Sequence, residues 1–325
     1  MSLARYQGYV SATLAKRIPG IIRNAATGYQ GEAAAALDAV GNIVETDGIL
    51  ELDLANWPLP GWEELPALVD GKRVSEATFF DFEYWMYARM AQAVRFPETG
   101  SDPFRATKHR DLERHLQWAD GALAHTSSLA AALALSLDAN AHDLSQLSVA
   151  AARYEVGRGR LGTALARITR MNLIADNFGG EFVADLVLAI LASEAGIETV
   201  LHVKRLPMFV SDTTITDVEA LLAHPSSGTF MQRLHAAVEQ GALRFAAHPF
   251  WSAPRFLDAL PVAELGTGDG VLNILKGDLN YASIGIAAPS VTFRSRPKRR
   301  SARAAYCPPR RCSRCAQSSP TASAA

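Results

Sequence analysis

From residue 171 onward the chain alternates short apolar runs with longer stretches of helical period, and this alternation limits the possible folds more than any other feature. Apolar runs at 171–175, 199–203, 208–210, 243–247 and 271–275 are too short for helices and too uniformly apolar for strands wetted on one face. Strands buried on both faces have this character, and they occur in parallel sheets whose crossovers are helices. Residues 181–193 carry Phe182, Leu186 and Ile190 on one helical face, and residues 230–240 form a second helical stretch stopped by Gly241. Thr216 with Glu219 has capping-box spacing ahead of Leu221. An α/β fold with a parallel sheet is expected.

The first 150 residues have a different rhythm and are expected to be mainly helical. Thr78 with Asp81 has capping-box spacing, and Phe82, Met86, Met90 and Ala93 then recur on one face, which predicts a helix over 78–95. The alanine-rich stretches 121–137 and 143–157 also favour helix. Pro58, Pro60 and Gly61 mark an irregular connection. No apolar run approaches the roughly 20 residues of a membrane span, and no secretory leader pattern opens the chain. With no cysteine before Cys307, the body holds neither a disulfide framework nor a thiolate metal site. A soluble cytoplasmic protein without membrane contact is expected.

Three of the apolar runs end in polar clusters: Asp176-Asn177, Ser211-Asp212, and Lys276-Gly277-Asp278-Leu279-Asn280. In an open α/β sheet the carboxyl ends of the strands are where ligands bind. Asp and Asn offer oxygen ligands to a hard divalent ion, and a lysine offers a cation to a phosphate. Turns and helix N-caps also recruit Asp and Asn after strands, so each cluster alone has a purely structural account. The same holds for Glu181, which reads equally as a first-turn acid stabilising a helix dipole. His202 and His248 are single histidines beside apolar runs, and Phe250 and Trp251 read as packing. Ser211 reads as a turn or cap residue, and Gly179-Gly180 lacks a dinucleotide fingerprint.

Taken in order, Asp176-Asn177-Phe178-Gly179-Gly180-Glu181-Phe182-Val183-Ala184-Asp185-Leu186, Phe209-Val210-Ser211-Asp212, His248-Pro249-Phe250-Trp251 and Leu275-Lys276-Gly277-Asp278-Leu279-Asn280-Tyr281 resemble the metal-dependent damage-control phosphatase family, nearest its acidic-residue methyltransferase-like subgroup. The aromatic stretch 79–89 matches the family's helical portion more loosely. The resemblance covers about residues 1–281 and implies a helical region (1–150) joined to a Rossmann-like catalytic domain (151–281). It implies hydrolysis of small phosphate monoesters, sugar phosphates foremost, with Mn²⁺, Co²⁺, Ni²⁺ or Mg²⁺ held by Asp176, Asn177 and Asp212. By the same motif match, Glu181, Asp212, Asp278, Leu279, Asn280 and Tyr281 would contact substrate, and Lys276 would lie near the phosphate. Asp176 or Asp278 would act as base or nucleophile. The subgroup's name raises an alternative, carboxyl methylation from S-adenosylmethionine, for which the chain offers no glycine-rich cofactor loop.

After Tyr281 the sequence departs from the family. Ala282 stands where the family has arginine, and the family's later strand and helix region has no counterpart, so the C-terminal part of the fold is expected to be incomplete and an inactive relic is a further alternative. No Asp or Glu follows Asp278; residues 282–325 carry nine Lys and Arg, so the tail is +9 and the first 281 residues are −10, cancelling to −1. The acidic body gives no reason to expect nucleic-acid binding, whereas the tail could act as a basic arm. Its Cys307, Cys312 and Cys315 with no histidine fall short of a four-ligand zinc site. An abrupt change to Arg, Ala, Pro, Ser and Cys is also what a shifted reading frame produces, and on either account the tail should not pack.

Overall fold

The computed structural model describes residues 17–110, 112–139, 165–255, 262–266, 268–277, 280 and 305–306. The principal helices are α1 (Ile18–Ala26), α2 (Gly31–Glu45), α3 (Phe79–Ala93), α4 (Arg105–His109), α5 (Leu112–His125), α6 (Leu129–Ala139), α7 (Gly180–Glu194), α8 (Ile215–Leu222) and α9 (Thr229–Glu239). The strands are β1 (Arg170–Ile174), β2 (Glu198–His202), β3 (Leu243–Ala246) and β4 (Val271–Leu275), all parallel, in the order β3-β2-β1-β4. Of the tail, residues 305–306 are described; Ala305–Tyr306 form β5, which pairs parallel with Ile274 and Leu275 outside β4. The tail was expected not to pack, and this short pairing runs against that expectation at these two residues.

The strands alternate as a two-faced sheet requires. Met171, Leu173 and Ala175 join the large core under α7, while Ile174 packs on the other face with Phe250, Trp251 and Leu275. Helix α7 lies between the sheet and helices α5, α6 and α9, and twelve of its fifteen residues are buried. That enclosure explains why its apolar character runs nearly all the way round. Helices α5 and α6 share this core, so the sheet layer reaches back to Leu112. A second core gathers residues 18–104 with Leu206, Met208 and Ala253.

Two helical expectations change. The 121–137 stretch is two helices, because the chain turns at 126–128 and Ser128 Oγ accepts the Ala131 N–H; the 143–157 stretch lies outside the described residues. Helix α3 meets its expectation closely, with the Thr78 side chain accepting from Asp81 N. The cap of α8 does not: the capping box is Thr214 with Asp217, because Thr214 is extended (φ −106°, ψ 164°) and Thr216 is already helical. No helix among the described residues is long and apolar enough to cross a membrane.

Candidate metal and phosphate site

The chain leaves β1 for β2 on one side, whereas β4 lies on the other side of β1. The crevice beyond the carboxyl ends of β1 and β4 is therefore the switch point at which open α/β sheets bind ligands. It receives Asp176 and Asn177 from β1 and Lys276 and Gly277 from β4. Asp176 is buried directly against Gly277: a Cβ added there would lie 2.2 Å from the Asp176 carboxyl carbon, and the backbone φ of +85° also favours glycine. The glycine of the Lys-Gly-Asp run thus makes room for the acid of the other strand.

Asp212 arrives by a route that the sequence did not reveal. Residues 208–210 are not a strand. Phe209 and Val210 adopt left-handed backbone (φ 52° and 71°), which no strand residue can, and Ser211 N donates back to Phe209 O at 2.9 Å. Beyond this bend, 211–213 runs antiparallel to the segment that leaves β1. Thr213 N donates to Asp176 O (2.7 Å), Phe178 N donates to Ser211 O (2.6 Å), and Asn177 and Asp212 form the bridge between them. The Phe209 ring packs on Tyr84 and Tyr87 of α3, with ring centroids 5.7 and 5.0 Å away. The helical region therefore supports the loop that delivers Asp212.

Asn177 links the site's acids. Its Nδ2 donates to Asp176 Oδ2 and to Glu181 Oε2, both at 3.0 Å, and its Oδ1 accepts from Ser211 Oγ. Glu181 sits in the first turn of α7 and also pairs with Lys276 Nζ at 2.9 Å, so it is more than a dipole partner. Lys276 is fully enclosed. Its Nζ reaches Asp185 Oδ1 (2.7 Å) and the Ser136 carbonyl (2.8 Å) as well, so its charge is opposed by two carboxylates. Burial works against that ammonium, but the charges of Asp185 and Glu181 outweigh it and hold its pKa above the ordinary lysine value. Burial pushes the Asp185 carboxyl up to about 6, against the pull of Lys276.

Asn280 is buried, and its amide donates to the carbonyls of Lys276 (2.7 Å) and Ala175 (3.4 Å), tying the ends of β4 and β1 together. Asp278, Leu279 and Tyr281 lie outside the described residues. The expectation missed Asp185 and Ser136 as parts of this site. One signal could have found Asp185: it stands four residues after Glu181, on the same face of a helix otherwise buried and apolar, and a buried acid needs a partner.

A second buried lysine underpins Asp212. Lys108, on α4, pairs with Asp102 (2.5 Å) and Asp217 (2.6 Å) and donates to the Asp212 carbonyl (3.0 Å). His109 Nε2 lies 2.9 Å from Asp217 Oδ1, and Lys204, itself buried, ion-pairs with Asp212. Burial would raise the Asp217 carboxyl, but the bond with His109, the charge and bond of Lys108, and the Thr214 hydroxyl hold it at about 2. Burial raises Asp102 despite Lys108.

Asn177 Nδ2 meets the Asp176 carboxylate, and the backbone bridge sets Asp212, ion-paired to Lys204, opposite Asn177. Hard oxygen donors of this kind suit Mg²⁺ or Mn²⁺. Among the described residues no group of three or more His, Cys, Asp or Glu is placed to hold a metal. His202 and His248 take structural roles. His202 is buried between Asn172 and Trp251, and burial lowers its pKa to about 4. The His248 side chain caps a short 3₁₀ turn by accepting from Phe250 N.

The model of the "Damage-control phosphatase ARMT1-like domain" matches residues 16–292. Proteins named "Damage-control phosphatase ARMT1" are similar over part of the chain. Those of Macaca fascicularis and Homo sapiens are 36% identical over 133 residues, and that of Rattus norvegicus is 34% identical over 137. Each alignment takes in 37–38% of this chain and 30% of the relative, so the matched stretch spans under a third of their length. The crystal structure of a DUF89-family protein from Pyrococcus horikoshii aligns with a TM-score of 0.45 at 15% identity, covering 85% of this chain and 86% of that one.

Proposed function

Because the chain belongs to the ARMT1-like damage-control phosphatase domain family, we propose that it is a cytoplasmic, metal-dependent hydrolase of small phosphate monoesters, sugar phosphates foremost. The observation that carries this reading is the backbone seam between the end of β1 and residues 211–213, which brings Asp212 to Asn177 and Asp176 at the switch point. Asp176, Asn177 and Asp212 would hold a single Mn²⁺, Co²⁺, Ni²⁺ or Mg²⁺ ion. Two carboxylates and a neutral amide would leave such an ion able to attract an anionic substrate. Bound there, the ion supplies polarisation of a phosphoryl oxygen.

The chain's own residues do the positioning, which is most of what phosphoryl transfer requires. The Asn177 amide fixes the orientation of Asp176 and Glu181 through its two N–H groups. Lys276 acts from behind the site: by offsetting Glu181 and Asp185 it spares an incoming phosphate from facing two uncompensated carboxylates. By the motif match, Glu181, Asp212, Asp278, Leu279, Asn280 and Tyr281 would contact substrate, and Asp176 or Asp278 would serve as base or nucleophile. Phosphate release from sugar phosphates in the presence of Mn²⁺ or Co²⁺ tests this. Release should stop with chelator and with Asp176→Asn. Release that survives both overturns the assignment.

A further inference from the structure

A cleft of about 240 Å³ opens on the helical region, lined in part by Asp53, Trp57, Arg89, Gln92, Arg95 and Glu98. We infer that it binds a small oxyanion, of the phosphate or carboxylate class, at a site separate from the sheet's switch point. The inference does not depend on the phosphatase reading.

The first observation is an excess of donors. Arg89 Nε and Trp57 Nε1 are buried with no hydrogen-bond partner among the described residues. Arg89 Nη1 donates to Gln92 Oε1 at 3.1 Å, and its buried Nε has no acceptor among the described residues. Two acceptors of Asp53 are already engaged, while its Oδ2 and the Glu98 carboxylate lie at the exposed rim. Asp53 Oδ1 takes the Ala55 N–H at 2.8 Å, and the Asp53 carbonyl takes Gln92 Nε2 at 2.7 Å. Buried N–H groups without acceptors are costly, so an occupant that brings acceptor oxygens satisfies them. Guanidinium forks match carboxylate and phosphate oxygens in geometry as well as charge.

The second observation is the backbone at the cleft's rim. Arg95 has φ 53° and ψ 39°, a left-handed conformation that a long side chain seldom adopts, in the bend between α3 and Pro97. Held this way, its exposed guanidinium stands beside the cleft with Glu98 as a loose partner, Nε to Oε2 3.8 Å. Strained backbone of this kind concentrates at binding sites. The Trp57 ring is braced edge-on by the buried Trp62, with centroids 5.0 Å apart, and forms a fixed wall.

The cleft and the switch point use different faces of α3. Arg89 and Gln92 lie about 140° round the helix from Tyr84 and Tyr87, which support the Asp212 loop.

Calorimetric titration of the full chain in chelator tests the inference, with inorganic phosphate and malonate as separate probes. Saturable one-to-one binding of at least one probe is expected, and the tighter probe names the anion class. Arg95→Ala, which changes an exposed side chain, and Arg89→Gln should each weaken binding about tenfold or more. Asp176→Asn should leave it unchanged. Absence of saturable binding by either probe overturns the inference. So does binding that survives both arginine variants, or that disappears with Asp176→Asn.

Discussion

Of the three buried lysines around the candidate site, two each sit between two carboxylates. Lys276, at the end of β4, faces Asp185 and Glu181; Lys108, on α4, faces Asp102 and Asp217. The composition of the two clusters is alike, but their charge states diverge. Asp217 gains His109 and the Thr214 hydroxyl as further partners and is held at about 2. Among the described residues Asp185 gains the Ser136 hydroxyl beyond its lysine, stands beside Glu181, and is pushed up by burial to about 6. The number of donors per carboxylate, more than depth of burial, decides whether a buried acid stays ionised. The Lys108 cluster is a latch between the helical region and the Asp212 loop that pairs one strongly ionised acid with one raised by burial, whereas the Lys276 cluster carries the acid pushed up to about 6.

The largest effect should come from breaking the latch. Lys108→Met strands Asp217, whose ionised state is strongly held, and should cost about 3–5 kcal/mol in denaturant unfolding at pH 7. Lys276→Met should cost less, and its deficit should shrink towards pH 5 as Asp185 becomes neutral. Equal, pH-independent losses would erase the distinction between the clusters. The parent protein's own pH profile sharpens the same contrast. Asp185, raised above its unfolded value near 4, makes folding more favourable as pH falls from about 6 to 4. Asp217, lowered to about 2, contributes stability that is complete above pH 4 and lost as pH falls through 2, on the order of 2 kcal/mol. Tm should therefore rise as pH falls from about 6 and peak near pH 4, and a steady rise from pH 4 to 8 would contradict the Asp185 environment.

Next in size is Gly277→Ala, which pushes a methyl into the Asp176 carboxylate and strains a positive φ. A loss of about 1–3 kcal/mol is expected, with a larger fractional loss of Mn²⁺-dependent phosphate release. An alanine variant with unchanged stability and activity would show that the carboxylate does not need that space.

These effects also mark what could be read without the structure. The four strands β1 to β4 and helices α3, α7 and α9 were legible because burial on both faces of the sheet, or on one helical face, leaves a periodic apolar record. The contacts of Asp176 and Asn177 were legible in part, since strand ends at a switch point share a location. Lys276 was placed at the site, but a one-dimensional pattern does not record which side of the sheet a long side chain reaches, and its two carboxylates come from α7. The 208–210 run was misread because Met208, Phe209 and Val210 are apolar for another reason. They fill the second core and pack on α3 rather than pairing in the sheet. Nothing in their residue types announces left-handed backbone, which glycine normally supplies.

That last point gives the smallest effect. A β-branched residue at φ 71° carries strain on the order of 1 kcal/mol or more, and tertiary contacts must hold it there. Val210→Gly removes the strain, forfeits part of a half-buried side chain, and loosens the unfolded chain. These terms nearly cancel, so unfolding free energy should change by less than about 1 kcal/mol, whereas glycine at a buried strand valine such as Val200 should cost several times more. If Val210→Gly proves as damaging as Val200→Gly, the bend is not strained. The Asp212 loop would then owe its shape to Val210 packing rather than to the Phe209 contacts with Tyr84 and Tyr87.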